Sequence, residues 1–132
     1  MATIDITTDS FTDTIENNDI VLVDFWAEWC PPCKAFGPVF ETVSGDNTDI
    51  TFAKVDTEAE QVLAGQAGIT SIPTLMAFRE GVLVFNQAGA LNKAQLTQVV
   101  DAVRGLDMAE VHAAVAAQKE SASATESASD QT

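Results

Sequence analysis

Basic residues are scarce in this sequence. Six Lys and Arg residues stand against 20 Asp and Glu residues in a chain of 132 residues, which gives a formal net charge of −14. Nucleic-acid binding depends on clustered Lys and Arg side chains that contact phosphates, so we expect no nucleic-acid partner. The acidic excess favours solubility, and it leaves open that the surface steers basic partners towards it.

Long apolar runs and targeting signals are also missing. No run approaches the ~18 apolar residues of a membrane-spanning helix, so we expect no membrane association. Residues 1–6 contain neither a basic region nor a long apolar core of the kind that directs secretion. These features predict a cytoplasmic protein, and the length of the chain suits one domain with a hydrophobic core.

Potential metal ligands are few as well. The chain has two cysteines, Cys30 and Cys33, and one distant histidine, His112. A structural zinc site usually takes four Cys or His ligands, so we predict no metal site within one chain. A metal site shared between two chains and an inert buried pair remain alternatives for the cysteines. We expect His112 to be an exposed helix residue.

The two cysteines stand at C-x-x-C spacing, after an apolar run from Ile20 to Val23 that predicts a buried strand. A helix should follow, with Cys30 just before it and Cys33 in its first turn. The free N–H groups and the positive dipole end of that helix would lower the pKa of Cys30 below the ~8.5 of a free thiol. This arrangement predicts a redox site in which Cys30 attacks a substrate disulfide and Cys33 resolves the mixed disulfide.

The remaining pattern predicts an α/β fold with a mixed sheet. Strands and helices alternate through residue 67, which favours a sheet with helices on both faces. Two further strands flank Glu80-Gly81, a hairpin signal, so an antiparallel pair should form one edge. The predicted strands are 3–6, 20–25, 50–55, 74–79 and 82–87. The predicted helices are 10–17, 33 to about 42 or beyond, 58–67 and one capped by Asn92 that ends at Gly105. The polar residues 44–49 are predicted to form a loop.

The C-terminal region divides into two predicted parts. Asp107 and Glu110 resemble a capping box, and Met108, Val111 and Val115 recur at helical spacing in an alanine-rich background. We therefore predict a domain over residues 1–105 and an additional helix over 106–119. Residues 120–132 are Ser, Ala and acidic residues with nothing to bury, which predicts a disordered tail.

The segment from Val23 to Lys34, Val-Asp-Phe-Trp-Ala-Glu-Trp-Cys-Pro-Pro-Cys-Lys, resembles the active-site signature of the thioredoxin family. The likeness covers roughly residues 2–105 and continues in Ala53-Lys54-Val55-Asp56, Ile72-Pro73-Thr74, Glu80-Gly81 and Gly89-Ala90. It implies the thioredoxin fold, with a central mixed five-stranded sheet flanked by helices on both faces. The predicted C-terminal helix would be an addition to that fold.

One position departs from the family pattern. Thioredoxins usually carry Gly-Pro between the cysteines, and this chain has Pro31-Pro32. Proline at position 31 removes a backbone donor near the sulfur, which would weaken thiolate stabilisation, and it stiffens the loop, which would favour the closed disulfide. The sequence does not decide between these two effects.

Asp24 and Lys54 are candidate catalytic residues beside the two cysteines. Burial at the end of a strand would raise the pKa of Asp24 and let it exchange protons with Cys33, whereas the alternative is a solvated strand end. The resemblance favours the proton-transfer role. Lys54 would either face Asp24 and tune it or point to solvent.

The resemblance also implies a substrate groove. Trp29 would cover the site, and Pro73 would follow a cis peptide bond and lie against the sulfurs. The backbone of Ile72 could then pair with an extended substrate segment. The residues expected at the groove are Trp29, Pro31, Pro32, Ile72, Pro73, Gly89 and Ala90.

The resemblance further implies a protein disulfide reductase that contributes to electron transport and cell redox homeostasis. Its redox group would be the Cys30–Cys33 disulfide, with no bound cofactor. Its partners would be client proteins with disulfides and an NADPH-dependent flavoprotein, thioredoxin reductase, and the chain would be a monomer. The alternatives are an oxidase or isomerase of the same fold, and a non-catalytic binding module that uses the C-terminal extension.

Overall fold

The fold is a five-stranded mixed sheet with helices on both faces. The computed structural model describes the backbone of residues 2–130 and the side chains of residues 2–120. The strand order is β1-β3-β2-β4-β5, in which β1 (Thr3–Asp5), β3 (Thr51–Asp56) and β2 (Ile20–Trp26) are parallel. β4 (Thr74–Arg79) is antiparallel to β2, and β5 (Val82–Ala88) is antiparallel to β4. The predicted mixed sheet with a hairpin at its edge is confirmed.

The first four of the five helices enclose two hydrophobic clusters, one on each face of the sheet. Alternate residues of the central strand β2 divide between them: Leu22 belongs to one cluster, and Val21 and Val23 belong to the other. This division is the period-2 alternation of a strand that is buried on both faces. The helices are α1 (Phe11–Glu16), α2 (Pro31–Asp46), α3 (Gln61–Gln66), α4 (Lys93–Arg104) and α5 (Met108–Asp130).

Helix α2 begins earlier and ends later than the sequence predicted. It begins at Pro31 rather than near Cys33, because proline suits the first helical position, where no N–H is needed. It runs through Pro38 and continues to Asp46, which takes it into the loop predicted over residues 44–49. Val43, which is fully buried in the core, lies in this added turn, so tertiary packing outweighs the local loop signal of Ser-Gly-Asp.

Helix α3 is shorter than predicted. It begins at Gln61 rather than near Glu58. The Asp56 carboxylate accepts hydrogen bonds from the N–H groups of Glu58 (2.9 Å) and Ala59 (3.3 Å), an Asx-type turn that competes with helix formation. This turn fixes the chain immediately after β3.

The predicted hairpin and the helix capped by Asn92 are present. Glu80 and Gly81 both have positive φ, 51° and 79°, as a two-residue hairpin turn of the primed kind requires. Asn92 and Gln95 form a reciprocal capping box at the start of α4. The Arg79 guanidinium donates hydrogen bonds to the carbonyls of Val103 (2.9 Å) and Leu106 (3.0 Å), which secures the end of α4 against β4.

The C-terminal helix α5 packs near the hairpin. Met108 is buried, and Val111 and Val115 line a hollow of about 260 Å³ that they share with the start of β5. His112, which is exposed as predicted, has its Nε2 atom 3.0 Å from the Oε1 atom of Glu80.

The backbone of α5 extends to Asp130, past the predicted end near Lys119, in a segment rich in helix-favouring alanine. Side chains from residue 121 onward, and all of residues 131–132, lie outside the described residues, so the disordered tail over 120–132 stays a prediction. The division at residues 105 and 119 stays a prediction too. Over the described residues, none of the helices has the length and apolar character needed to span a bilayer.

Candidate active site

The two cysteines form a disulfide at the junction between β2 and α2. Cys30 is the N-cap of α2 with an extended backbone, and Cys33 lies in the first turn, as the sequence predicted. Their Cα atoms are 5.2 Å apart, and both side chains are buried with only 3% and 4% exposed. The Cys30–Cys33 pair therefore occupies the positive end of a 16-residue helix.

The prolines between the cysteines shape the hydrogen bonding of Cys30. The N–H of Cys33, the third helical residue, lies 3.2 Å from Cys30 Sγ and is directed at it. N-cap side chains accept from the second or third helical N–H. Pro31 is the first helical residue, and the N–H group of that position does not donate to an N-cap side chain. The backbone N–H that proline lacks is therefore not one that Cys30 Sγ would accept. The geometry thus leaves chain stiffness as the main local effect of Pro31.

The segment that follows α3 lies against the sulfurs. The Ile72–Pro73 peptide bond is cis, and the Ile72 carbonyl oxygen is 3.7 Å from Cys30 Sγ. Gly89 has a φ of 106° and donates its N–H to the Pro73 carbonyl at 2.8 Å. The structure therefore brings Ile72 to the dithiol and Gly89 to the adjoining Pro73, although both are distant from the cysteines in sequence.

A groove of about 610 Å³ opens beside Cys30. Trp29 is 66% exposed at its edge, and its indole N–H donates to Glu58 Oε1 at 2.8 Å. Of the residues predicted for this groove, Trp29, Pro31, Pro32 and Ile72 line it. Among the described residues that line the groove, Pro73, Gly89 and Ala90 do not appear. The other lining residues come from Thr57, from α3 and from the loop after α3: Gln61, Ala64, Gly65, Ile69, Thr70 and Ser71.

Asp24 is fully buried in β2, on the same side of the strand as Leu22. Neither of its carboxyl oxygens has a hydrogen-bond partner within the described part of the chain. Desolvation by burial raises the pKa of Asp24 from 3.8 to about 7, and the positive charge of Lys54 limits the increase. The solvated strand end that the sequence left open is thereby excluded.

Lys54 is the register partner of Asp24 on the neighbouring strand β3. Its Nζ atom lies 5.0 Å from the centroid of the Trp26 ring. Lys54 also lines a second cleft of about 610 Å³, which Cys33 lines as well. Charged side chains from α2 and from the loop before it complete that cleft: Glu28, Lys34 and Glu41.

The sequence interpretation missed Glu58 and the second cleft. Glu58 lies 29 residues from Trp29, within a polar stretch after β3 that shows no periodicity. One signal could have found it, because β2 and β3 are parallel and the residues that follow both strands meet at one edge of the sheet. Among the described residues, no group of three or more His, Cys, Asp or Glu side chains could hold a metal ion.

The fold and the site define a class of protein, the thiol–disulfide oxidoreductases, because a dithiol couple closes at a helix N-terminus beside a groove. The thioredoxin family model matches residues 2–102. The chain is 54% identical over 118 residues to a protein of Streptomyces coelicolor named putative thioredoxin 2, covering 89% of this chain and 88% of that one. It is 45% identical over 97 residues to the thioredoxin of Mycobacterium bovis, covering 72% and 84%.

Solved structures agree with these relatives. A mutant thioredoxin from Halobacterium salinarum superposes with a TM-score of 0.72 at 33% identity, covering 79% of this chain and 91% of that one. The Plasmodium falciparum thioredoxin gives 0.69 at 35% identity, covering 75% and 96%. The chain belongs to the thioredoxin family. It is a thiol–disulfide reductase that acts through its own cysteine pair on disulfides of client molecules.

Proposed function

We propose that Cys30 is the attacking thiol of the reductase and Cys33 the resolving thiol. The observation that carries this assignment is the position of the disulfide, with Cys30 at the groove and Cys33 at the second cleft. The Cys30 thiolate attacks one sulfur of a client disulfide, which releases the other sulfur as a thiolate that takes up a proton. The Cys33 thiolate then attacks Cys30 Sγ, which frees the client as a dithiol and leaves the Cys30–Cys33 disulfide.

We propose that Asp24 accepts the proton of Cys33 before the second step. A carboxyl with a pKa of about 7 is suited to gaining and losing a proton at neutral pH. Its complete burial and the lack of hydrogen-bond partners among the described residues support this role. Lys54 acts on the same group as a tuning charge, because its ammonium favours the ionised carboxylate.

We propose that client segments lie in the groove beside Trp29, Pro31 and Pro32. The Ile72 backbone then pairs with the segment, in the manner of strand addition, and Pro73 holds it at the sulfur. The contact between the Ile72 carbonyl and Cys30 Sγ supports this placement. Gly89 and Ala90 contribute by supporting Pro73, since the Gly89 N–H donates a hydrogen bond to the Pro73 carbonyl.

The proposed cycle also needs an electron donor. We infer that an NADPH-dependent flavoprotein, thioredoxin reductase, restores the dithiol, so that the chain serves electron transport and redox homeostasis in the cytoplasm as a monomer. Family membership supports the donor, and the acidic composition is compatible with a soluble monomer. A redox potential near the ~−120 mV of a strong oxidant would instead favour the oxidase alternative.

Trapping of mixed disulfides tests the assignment of the two thiols. Cys33→Ser keeps the attacking thiol and removes the resolving one, so it should accumulate a covalent adduct with a disulfide-containing client such as insulin. Cys30→Ser is the matched control and should form no adduct. Non-reducing electrophoresis and intact-mass measurement distinguish the two outcomes. Equal trapping by both variants would contradict the proposed roles.

A further inference from the structure

The two sides of the disulfide differ in charge. Within the described residues, those that line the groove at Cys30 include no Lys, Arg, Asp or Glu. The two lysines that lie nearest the site in the fold, Lys34 and Lys54, line the second cleft at Cys33 instead. The cations are thus placed on the side away from the proposed client, and the charge at the edge of the groove comes from carboxylates.

Glu58 is a carboxylate hydrogen-bonded to a residue of the groove. The preceding residue, Thr57, lines the groove, and the Oε1 atom of Glu58 accepts a hydrogen bond from the indole N–H of Trp29 at 2.8 Å. This bond holds the side chain at the exposed edge, and since an indole N–H carries no charge, the negative charge of Glu58 is not neutralised by it. A client segment that lies against Trp29 therefore passes directly beside a fixed negative charge.

Two neighbouring acids, Asp56 and Glu60, add negative charge beside Glu58, and hydrogen bonds hold their side chains as well. Asp56 accepts the N–H groups of Glu58 and Ala59, and Glu60 accepts the N–H of Thr8 at 2.8 Å. These donors are neutral backbone groups, so three negative charges fall within the five residues 56–60, a segment that includes the groove residue Thr57. The net charge of −14 extends the same sign over the rest of the molecule.

We propose that the groove selects client segments that carry a lysine or arginine beside the reacting cysteine, with Glu58 as the specificity-determining residue. The inference rests on the proposed function, in which clients bind in this groove. A basic client residue is attracted to Glu58, and an acidic one is repelled from it. Because both partners are exposed, the preference weakens as salt shortens the screening length from about 8 Å at 0.15 M to about 3 Å at 1 M.

Two disulfide-linked peptides that differ only at the residue next to cysteine, Lys or Glu, test the proposal. Stopped-flow measurement gives the rate constant of each with the reduced protein. We expect the Lys peptide to react roughly fivefold faster than the Glu peptide at low salt, because Glu58 attracts the lysine and repels the glutamate. The ratio of the two rate constants should fall towards one at 1 M salt. Glu58→Gln should reduce the ratio to about twofold, because it removes the charge of Glu58 and leaves those of Asp56 and Glu60. Gln keeps an oxygen acceptor for Trp29, so the contact itself is preserved.

Glu110→Gln is the matched control. Glu110 is an exposed acid in the first turn of α5, near the hairpin and at the opposite end of the sheet from the disulfide, so the ratio should stay at its original value. An unchanged ratio in Glu58→Gln would overturn the specificity proposal. A peptide with alanine next to cysteine reports on the proposed function separately. If the original protein fails to reduce it, the client site itself is wrong.

Discussion

Asp24 should make the folded protein less stable as the pH rises through the neutral range. The carboxyl is fully buried, and its pKa rises from 3.8 to about 7 on folding. The folded state therefore holds a proton that the unfolded state releases. This contribution to stability is fully present below pH 3.8 and is lost as the pH rises towards 7, with little further change above it.

The size of the effect follows from the two pKa values. Each pH unit between them changes the free energy of unfolding by about 1.4 kcal/mol, so the full difference amounts to about 4 kcal/mol. Between pH 5 and pH 8 the oxidised protein should lose about 3 kcal/mol through this one group. Asp49 adds nothing in this window, because its hydrogen bond with Arg104 lowers its pKa to about 2 and it stays ionised throughout.

Asp24→Asn isolates the contribution. The amide keeps the shape of the protonated carboxyl, and its own unsatisfied hydrogen bonds cost the same free energy at every pH. Urea unfolding of the oxidised forms at pH 5 and pH 8 should give nearly equal stabilities at pH 5 and a variant that is about 3 kcal/mol more stable at pH 8. Parallel pH dependence of the two proteins would refute the assignment of this raised pKa.

Three further changes test other parts of the structure. Pro31→Gly should raise the redox potential by about 10–30 mV, because a looser loop favours the open dithiol by about 0.5–1.4 kcal/mol. Equilibration with glutathione measures the potential, and an unchanged value would contradict loop stiffness as the main effect of Pro31. Arg79→Met should lower the free energy of unfolding by about 2–3 kcal/mol in urea while insulin reduction stays intact, and full stability would show that the carbonyl contacts at the end of α4 are dispensable. Truncation after Asp107 should keep insulin reduction and cost about 2 kcal/mol of stability through the loss of Met108, whereas loss of reduction would show that the extension is needed for catalysis.

Local patterns were sufficient for the elements that carry the chemistry. The apolar run that begins at Ile20 predicted the central strand because a strand covered on both faces must be apolar at nearly every position. The C-x-x-C spacing placed Cys30 and Cys33 at the helix start. Glu80-Gly81 predicted the hairpin, since both positions adopt positive φ.

Long-range contacts could not be predicted in the same way. The partnership of Asp24 with Lys54 depends on the register of two strands 30 residues apart, and a shift of one residue would turn Lys54 to the other face. The bond between Trp29 and Glu58 joins two loops and has no periodic signature. The end of α2 depends on the burial of Val43, which overrides the local preference of Ser44 and Gly45 for a turn.

The topology of the sheet accounts for the convergence of these residues at one end. Because β2 is central, its C-terminal end adjoins the ends of both neighbours. β3 is parallel and therefore delivers the segment with Glu58 to that end. β4 is antiparallel and begins there, with Thr74 opposite Phe25, so Pro73 precedes it at the sulfurs. Reversing the direction of β4 alone would carry Pro73 to the far end of the sheet. The groove thus depends on the mixed sheet, and a wholly parallel one would separate Pro73 from the dithiol.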